Sequence, residues 1–284
     1  MLLADELRTA LLAARNPDGG WPYYKGKASR LEATSAALLA LAATNDVDPA
    51  GALDAWPRRN GLFVGDAGTV NVAFNGVAAL VLARTADAPM ARDLLSALVR
   101  ERGAKIPPST VNRQDDSIQA WAWTDGTFSW VEPTAWCLLG LKKLAGRTRD
   151  RDVSARVRDG ERLLADRMCR GGGWNHGNSN MLGTELPAYV PTTALALLSM
   201  HDRAAEGMVT TSVRYLESHR LAESGAMALA LCRMALGVYD RPAADVDAAI
   251  EHEWRTSSFI GNLHVTALAL YALAAGPAYE AFRV

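Results

Sequence analysis

Asp18-Gly19-Gly20-Trp21, followed by Leu31-Glu32-Ala33-Thr34-Ser35-Ala36-Ala37-Leu38-Leu39, is a phrase that this chain writes more than once. Asp125-Gly126-Thr127-Phe128-Ser129-Trp130 leads into Val131-Glu132-Pro133-Thr134-Ala135-Trp136-Cys137-Leu138-Leu139. Gly171-Gly172-Gly173-Trp174 leads, after a longer loop, into Tyr189-Val190-Pro191-Thr192-Thr193-Ala194-Leu195. A glycine-tryptophan turn entering a small-residue helix, repeated at intervals, signals units that bury their apolar faces only against one another.

Working outward from these phrases, six segments are apolar nearly all round: 31–43, 69–84, 133–145, 190–201, 224–237 and 263–275. A helix of that kind is buried. Between them run segments with a polar face, 2–15, a weak one near 49–57, 88–102, 151–168, 203–219 and 243–254. In 151–168, Val153, Val157, Leu163 and Leu164 form a stripe beside Arg151, Arg156, Arg158 and Arg162, the period of a surface helix. Two alternating sets of six describe a two-layer ring, with buried inner helices and amphipathic outer ones. The positions expected to match on the inner helices are Thr34, Asn75, Thr134 and Thr192. Pro133 and Pro191 fit first-turn positions, where a missing N–H costs nothing. Strand signals are nearly absent, so the expectation is an all-α chain, one domain over 1–284.

The chain has 284 residues, 49% hydrophobic, and a formal charge of -1, enough for one large core. Near-neutral charge argues against nucleic acid as a partner. Cys137, Cys169 and Cys232 lie far apart and imply neither a disulfide framework nor a zinc knuckle. No four-ligand metal set can be assembled, so no metal or cofactor is expected. The N-terminal residues mix charge into apolar sequence, and no run of 18 uncharged apolar residues occurs, so no transmembrane segment is expected and a cytoplasmic location is.

The DGGW-type turns at Asp18–Trp21 and Gly172-Gly173-Trp174-Asn175, with Ser129-Trp130-Val131-Glu132-Pro133-Thr134-Ala135-Trp136, resemble the repeats of the terpene cyclase and protein prenyltransferase superfamily. The resemblance spans most of the chain. It implies an α/α toroid of six inner and six outer helices and a squalene/terpene cyclase-like activity, binding or processing an isoprenoid or other apolar ligand in a central cavity. Two departures accompany it. Cyclases carry an Asp-x-Asp-Asp acid, whereas Arg113-Gln114-Asp115-Asp116 lacks its first aspartate. Prenyltransferases pair an Asp-x-Cys with a distant histidine; His264 lies where that histidine could fall, but no Asp-x-Cys precedes it.

In a toroid the N-termini of the inner helices and the long loops gather at the mouth of the cavity, which is where ligand sites form. Asp115 or Asp116 could share a proton and act as an acid, or simply start a turn. His176 could be a general acid or base, with Asn175 and Asn178 binding hydroxyls, or the asparagines could satisfy their own glycine-rich turn. Trp21, Trp121, Trp123, Trp130 and Trp174, with Tyr23, Tyr24 and Tyr189, could present aromatic faces to a carbocation or a sugar, or staple the repeats. Glu32 and Glu132 could be carboxylates at the mouth or charges placed at helix starts; His264 divides in the same way. Two functions stand beside the isoprenoid reading: a carbohydrate-active hydrolase or lyase using cavity carboxylates such as Glu132 and Asp116, and a non-catalytic module that binds a protein partner.

Overall fold

The computed structural model describes residues 2–44, 46, 52–54, 56–65, 68–84, 89–107, 110–111, 113–146, 150–274 and 279–284. Six inner helices, α2 (Leu31–Ala43), α3 (Val72–Leu82), α5 (Val131–Ala145), α7 (Val190–Ser199), α9 (Ala226–Val238) and α11 (Leu263–Ala274), pack each on the next, and α11 returns to α2. The ring is therefore closed, and the fold is an α/α toroid. Outside it lie α1 (Leu3–Leu12), α4 (Pro89–Arg100), α6 (Arg151–Arg167), α8 (Gly207–His219) and α10 (Ala244–Ser257). The outer helix expected near 49–57 falls largely outside the described residues; Ala52–Asp54 form a turn. Two short antiparallel hairpins, β1 (Arg58–Arg59) with β2 (Leu62–Phe63) and β3 (Asn180–Met181) with β4 (Thr184–Glu185), lie in the loops.

The two layers follow from composition. Ala33 to Ala42 of α2 are all buried, which an alanine- and leucine-rich helix tolerates on every face. In α6 the buried residues are Val153, Arg156, Gly160, Leu163, Leu164 and Arg167, one stripe at helical spacing. Inner helices approach closely where glycine permits. A Cβ on Gly140 of α5 would lie 2.5 Å from the Gly76 carbonyl oxygen of α3, and one on Gly76 would lie 2.6 Å from the Trp136 carbonyl carbon.

The tryptophan turns are joints. The indole N–H groups of Trp21, Trp121 and Trp174 donate to the carbonyls of Leu11, Leu98 and Leu164, at 2.8, 3.0 and 2.7 Å, in the final turns of α1, α4 and α6. Those carbonyls belong to a helix end, where partners are scarce. The backbone N–H groups of the same three residues donate to threonine hydroxyls on the following inner helix: Thr34 at 2.8 Å, Thr134 at 3.3 Å and Thr193 at 2.9 Å. In the second unit Phe63 takes the tryptophan's place and Asn75 the threonine's, with Phe63 N–H to Asn75 Oδ1 at 2.7 Å and Asn75 Nδ2 to the Phe63 carbonyl at 3.1 Å.

These bonds correct two alignments. The matching series is Thr34, Asn75, Thr134 and Thr193, not Thr192, because Thr193 holds the staple. The counterpart of Trp21 is Trp121, not Trp130: residues 21–39 and 121–139 correspond at an offset of 100, with the same burial pattern from 21 to 34 and from 121 to 134. Arg30 thereby matches Trp130, Tyr23 matches Trp123, and Glu32 matches Glu132. Arg156 supports the second joint from below, 3.8 Å over the Trp121 ring and donating to the carbonyls of Glu101, Gln119 and Ala120. Among the described residues no helix is long and apolar enough to cross a membrane.

Candidate functional site

The first N–H groups of an α-helix have no partner within it. At the mouth of this ring they are met by the neighbouring loops. Two residues past each tryptophan joint, a carbonyl accepts from the helix start beside it: Tyr23 from Leu263 (2.8 Å), Trp123 from Val72 (2.9 Å) and His176 from Val131 (3.1 Å). At the next station a side chain does the work, Glu223 Oε1 accepting from Val190 N–H at 2.7 Å. Tyr23, Trp123 and His176 therefore hold equivalent places on one rim, and their side chains crowd the same opening.

Two glutamates stand on that rim, each at the second residue of its helix, Glu32 on α2 and Glu132 on α5. α3 lies between those helices, and the same level on it is Ala73, so no third carboxylate intervenes. The Tyr23 hydroxyl donates to Glu32 Oε2, and His264 Nε2 lies 3.8 Å from Glu32 Oε1. Burial first, then the Glu32 charge, pushes the Tyr23 phenol far above its ordinary value, so it stays a donor. Burial lowers His264 below the usual histidine range, opposed by the Glu32 carboxylate. Glu132 is pushed up to about 7, chiefly by burial and then by the charge of Glu32. Burial and a neighbouring carboxylate both favour the protonated form of Glu132.

Aromatic side chains divide the opening into two compartments. One, of about 350 Å³, is walled by Tyr23, Arg30, Trp56, Asn71, Phe74 and Thr124 among others. The other, of about 300 Å³, is lined by Trp123, Trp130, Glu132 and His176. Phe74 and Trp123 meet edge to face at 6.4 Å between them. Ring pairs Phe128–Trp130 (4.6 Å) and His176–Tyr189 (5.3 Å) extend the aromatic rim outward.

The structure thus gathers Glu132, His176, Trp123 and Trp130 in one place, with Tyr189 against His176 and His264 against Glu32. Other candidates go elsewhere. Trp21, Trp121 and Trp174 are fully buried joints with no face on the opening. Asn175 closes its own turn: its Nδ2 donates to the Asn178 and Pro187 carbonyls, and its Oδ1 accepts from the Gly177 and Asn178 N–H groups. Asn178 contributes that carbonyl, and its Oδ1 is buried without a hydrogen-bond partner. Tyr24 is exposed in the turn beyond the rim.

Asp115 and Asp116 do not form a dyad. Both sit against outer helix α6: the Asp115 N–H donates to the Asp166 carboxylate, and Asp116 is buried 3.9 Å from Arg167. Hydrogen bonds from the Ser117 hydroxyl and N–H hold the exposed Asp115 carboxyl below its usual range, the reverse of what an acid requires. Among the described residues no group of three or more His, Cys, Asp or Glu side chains is placed to hold a metal. The features left out of the sequence-derived site are Glu32 rather than Asp116 as the partner of Glu132, and Trp56, Phe74 and Arg30 as walls. The signal for the first was present in the 100-residue offset, which pairs the two glutamates.

No protein-family model and no curated protein sequence matches the chain. Solved structures do. A protein of Clostridium perfringens described as a novel alpha-amylase superposes with a TM-score of 0.69 at 9% identity, over 96% of this chain and 98% of that one. The GH76A alpha-1,6-mannanase of Salegentibacter sp. HEL1_6, as an inactive double-aspartate variant in complex with alpha-1,6-mannotriose, gives 0.65 at 9% identity, over 98% and 99%. The family 8 endoglucanase Cel10 of Klebsiella pneumoniae gives 0.56 at 15% identity, over 94% and 98%. At such identities the likeness establishes the fold, an α/α toroid. These neighbours are glycoside hydrolases, so the likeness upholds the ring that the cyclase resemblance implied and lends no support to its isoprenoid chemistry.

Proposed function

We propose that the chain is a carbohydrate-active enzyme that cleaves a glycosidic bond at the mouth of the toroid, with Glu132 as general acid and Glu32 as the opposing carboxylate. The observation that carries this is the pairing of Glu32 and Glu132 at one level of an aromatic rim, one of them holding a proton up to about 7. Glycoside hydrolysis needs that asymmetry: a protonated carboxyl for the leaving oxygen and an ionised one for water or the anomeric carbon. Tyr23, donating to one Glu32 oxygen, fixes the carboxylate's orientation. Trp123, Trp130 and His176 provide flat faces of the kind on which sugar rings stack. The toroid neighbours act on glycans, which supports the same reading. The isoprenoid reading drew its acid from Asp115 or Asp116, and both stand against α6 rather than in the mouth.

The test is an oligosaccharide panel, α- and β-linked, with products read by mass spectrometry. Cleavage by the native chain should fall about 10²–10⁴-fold in Glu132→Gln and in Glu32→Gln. It should be unchanged in Asp115→Asn. Full activity in Glu132→Gln would refute the assignment. The anomeric configuration of the first product, followed by NMR, separates attack by water from attack by Glu32.

A further inference from the structure

A second cavity, of about 560 Å³, opens far from the mouth. It lies where the last turn of α5, the first two turns of α6, the 201–203 turn after α7 and residues 283–284 converge. Among the described residues, Lys142, Lys143, Arg158, Arg203 and Arg283 line it, with Asp202 the one acidic side chain in the lining and Val284 beside Arg283. The cations are not equivalent. Lys142, nearly buried, bonds Glu161 at 3.0 Å, Asp202 at 2.6 Å and the Ser199 carbonyl at 2.9 Å. Arg203 grips Glu161 through two bonds, at 3.1 and 2.9 Å. These two bases and two acids neutralise one another and form a rigid floor.

Lys143 and Arg158 are left over. The Lys143 ammonium donates to two neutral acceptors, the carbonyls of Glu280 (2.7 Å) and Arg283 (3.1 Å). It has three protons to give, so one donor and the whole charge remain. The Glu280 carboxylate is exposed and lies 3.9 Å from Arg84. Burial lowers the Lys143 pKa, opposed by the charge of the Glu280 carboxylate and reinforced by Arg84, and among the described residues no carboxylate bonds the ammonium directly. Arg158, on the exposed side of α6, has no carboxylate partner among the described residues. Arg283 pairs with Asp240, but its Nε is buried with no hydrogen-bond partner. Between these groups the wall is apolar, made by Ala145, Val153 and Val157.

We propose that this cavity is a second ligand site, independent of the mouth, that takes a small organic oxyanion. Its charged head would sit on Lys143 and Arg158, and its hydrocarbon part on Ala145, Val153 and Val157. A charge-assisted pair of donors beside an apolar wall selects such a molecule over a neutral one, which leaves Lys143 uncompensated, and over a bare ion, which leaves the wall wet.

Hexyl phosphate is the probe, with hexanol and inorganic phosphate beside it, in isothermal titration of the full chain. Hexyl phosphate should bind, and more tightly than inorganic phosphate; hexanol should not bind. Arg158→Gln, an exposed change that leaves the core intact, should raise the dissociation constant about tenfold, the worth of one charged hydrogen bond. Lys143→Met should raise it at least as much, and Glu132→Gln should leave it unchanged, which separates this site from the mouth. The proposal is overturned if hexyl phosphate does not bind, if Arg158→Gln binds it as the native chain does, or if inorganic phosphate binds equally well.

Discussion

Replacing Glu132 by glutamine removes the titrating carboxyl to which the proposed glycoside cleavage assigns the acid role, and its effect on stability can be worked out in advance. Glu132 goes from an ordinary 4.5 to about 7 on folding. Each tenfold change in an acid constant is worth about 1.4 kcal/mol, so the whole displacement amounts to about 3 kcal/mol. Below pH 4.5 the carboxyl is protonated in both the folded and unfolded chains. Between 4.5 and about 7 the unfolded chain has released the proton and the folded chain still holds it, so stability falls as pH rises, and above about 7 the loss is complete. Glutamine cannot titrate. The native chain should therefore lose about 3 kcal/mol relative to Glu132→Gln across that window.

Urea unfolding followed by tryptophan fluorescence, at a series of pH values on both proteins, measures the difference directly. His264, lowered by burial, contributes with the opposite sign: it stays neutral when folded and charges when unfolded, costing stability as pH falls below the ordinary histidine range. That contribution is common to both proteins and cancels in the difference. In a Glu32→Gln background the second cause of the Glu132 displacement is gone, so the drop should shrink. A stability difference between native and Glu132→Gln chains that stays flat from pH 4.5 to 8 would refute the argument that burial and Glu32 hold a proton on Glu132.

Two further outcomes test the frame on which the site rests. Trp121→Phe keeps an aromatic ring in the joint but leaves the Leu98 carbonyl without its 3.0 Å donor, and should cost about 1–3 kcal/mol in thermal unfolding; no change would mean the joint is ordinary core packing. Gly140→Ala puts a methyl 2.5 Å from the Gly76 oxygen and should lower the unfolding free energy measured in urea by about 1–3 kcal/mol or more, whereas alanine at Gly26, whose Cβ would meet nothing within 4 Å, tests only the strain of a positive φ.

Much of the ring was legible because its causes are local and periodic. Apolarity around the whole of 31–43 and 133–145 demands burial on all sides, while the stripe in 151–168 demands it on one, and two alternating sets of such helices have few ways to satisfy both. Turns that carry glycine and tryptophan mark the joints for the same reason. Register within the repeat was legible too. Thr192 and Thr193 both offer a hydroxyl at the start of the helix, and setting Leu197-Leu198 on Leu38-Leu39 pairs Thr34 with Thr193, whose hydroxyl meets the Trp174 N–H. One residue along a helix turns a side chain by about 100°, so Thr192 cannot take that place.

The site divides along the same line. Sequence determined that glutamates would stand at the starts of α2 and α5 and that tryptophans would crowd the second turn, since both follow from the repeat itself. It did not determine that Glu32 meets Tyr23 and His264, the latter 232 positions away along the chain. Closing the ring brings α11 beside α2, and no local pattern encodes that neighbour. Nor did it separate Asp115 and Asp116 from the mouth: two adjacent carboxylates read as an acid until α6 is seen to offer Asp166 and Arg167 to them. The class of fold was written in the spacing of apolar residues. Which carboxyl keeps its proton was decided by burial and by a charge on another helix, quantities that exist only once the ring has closed.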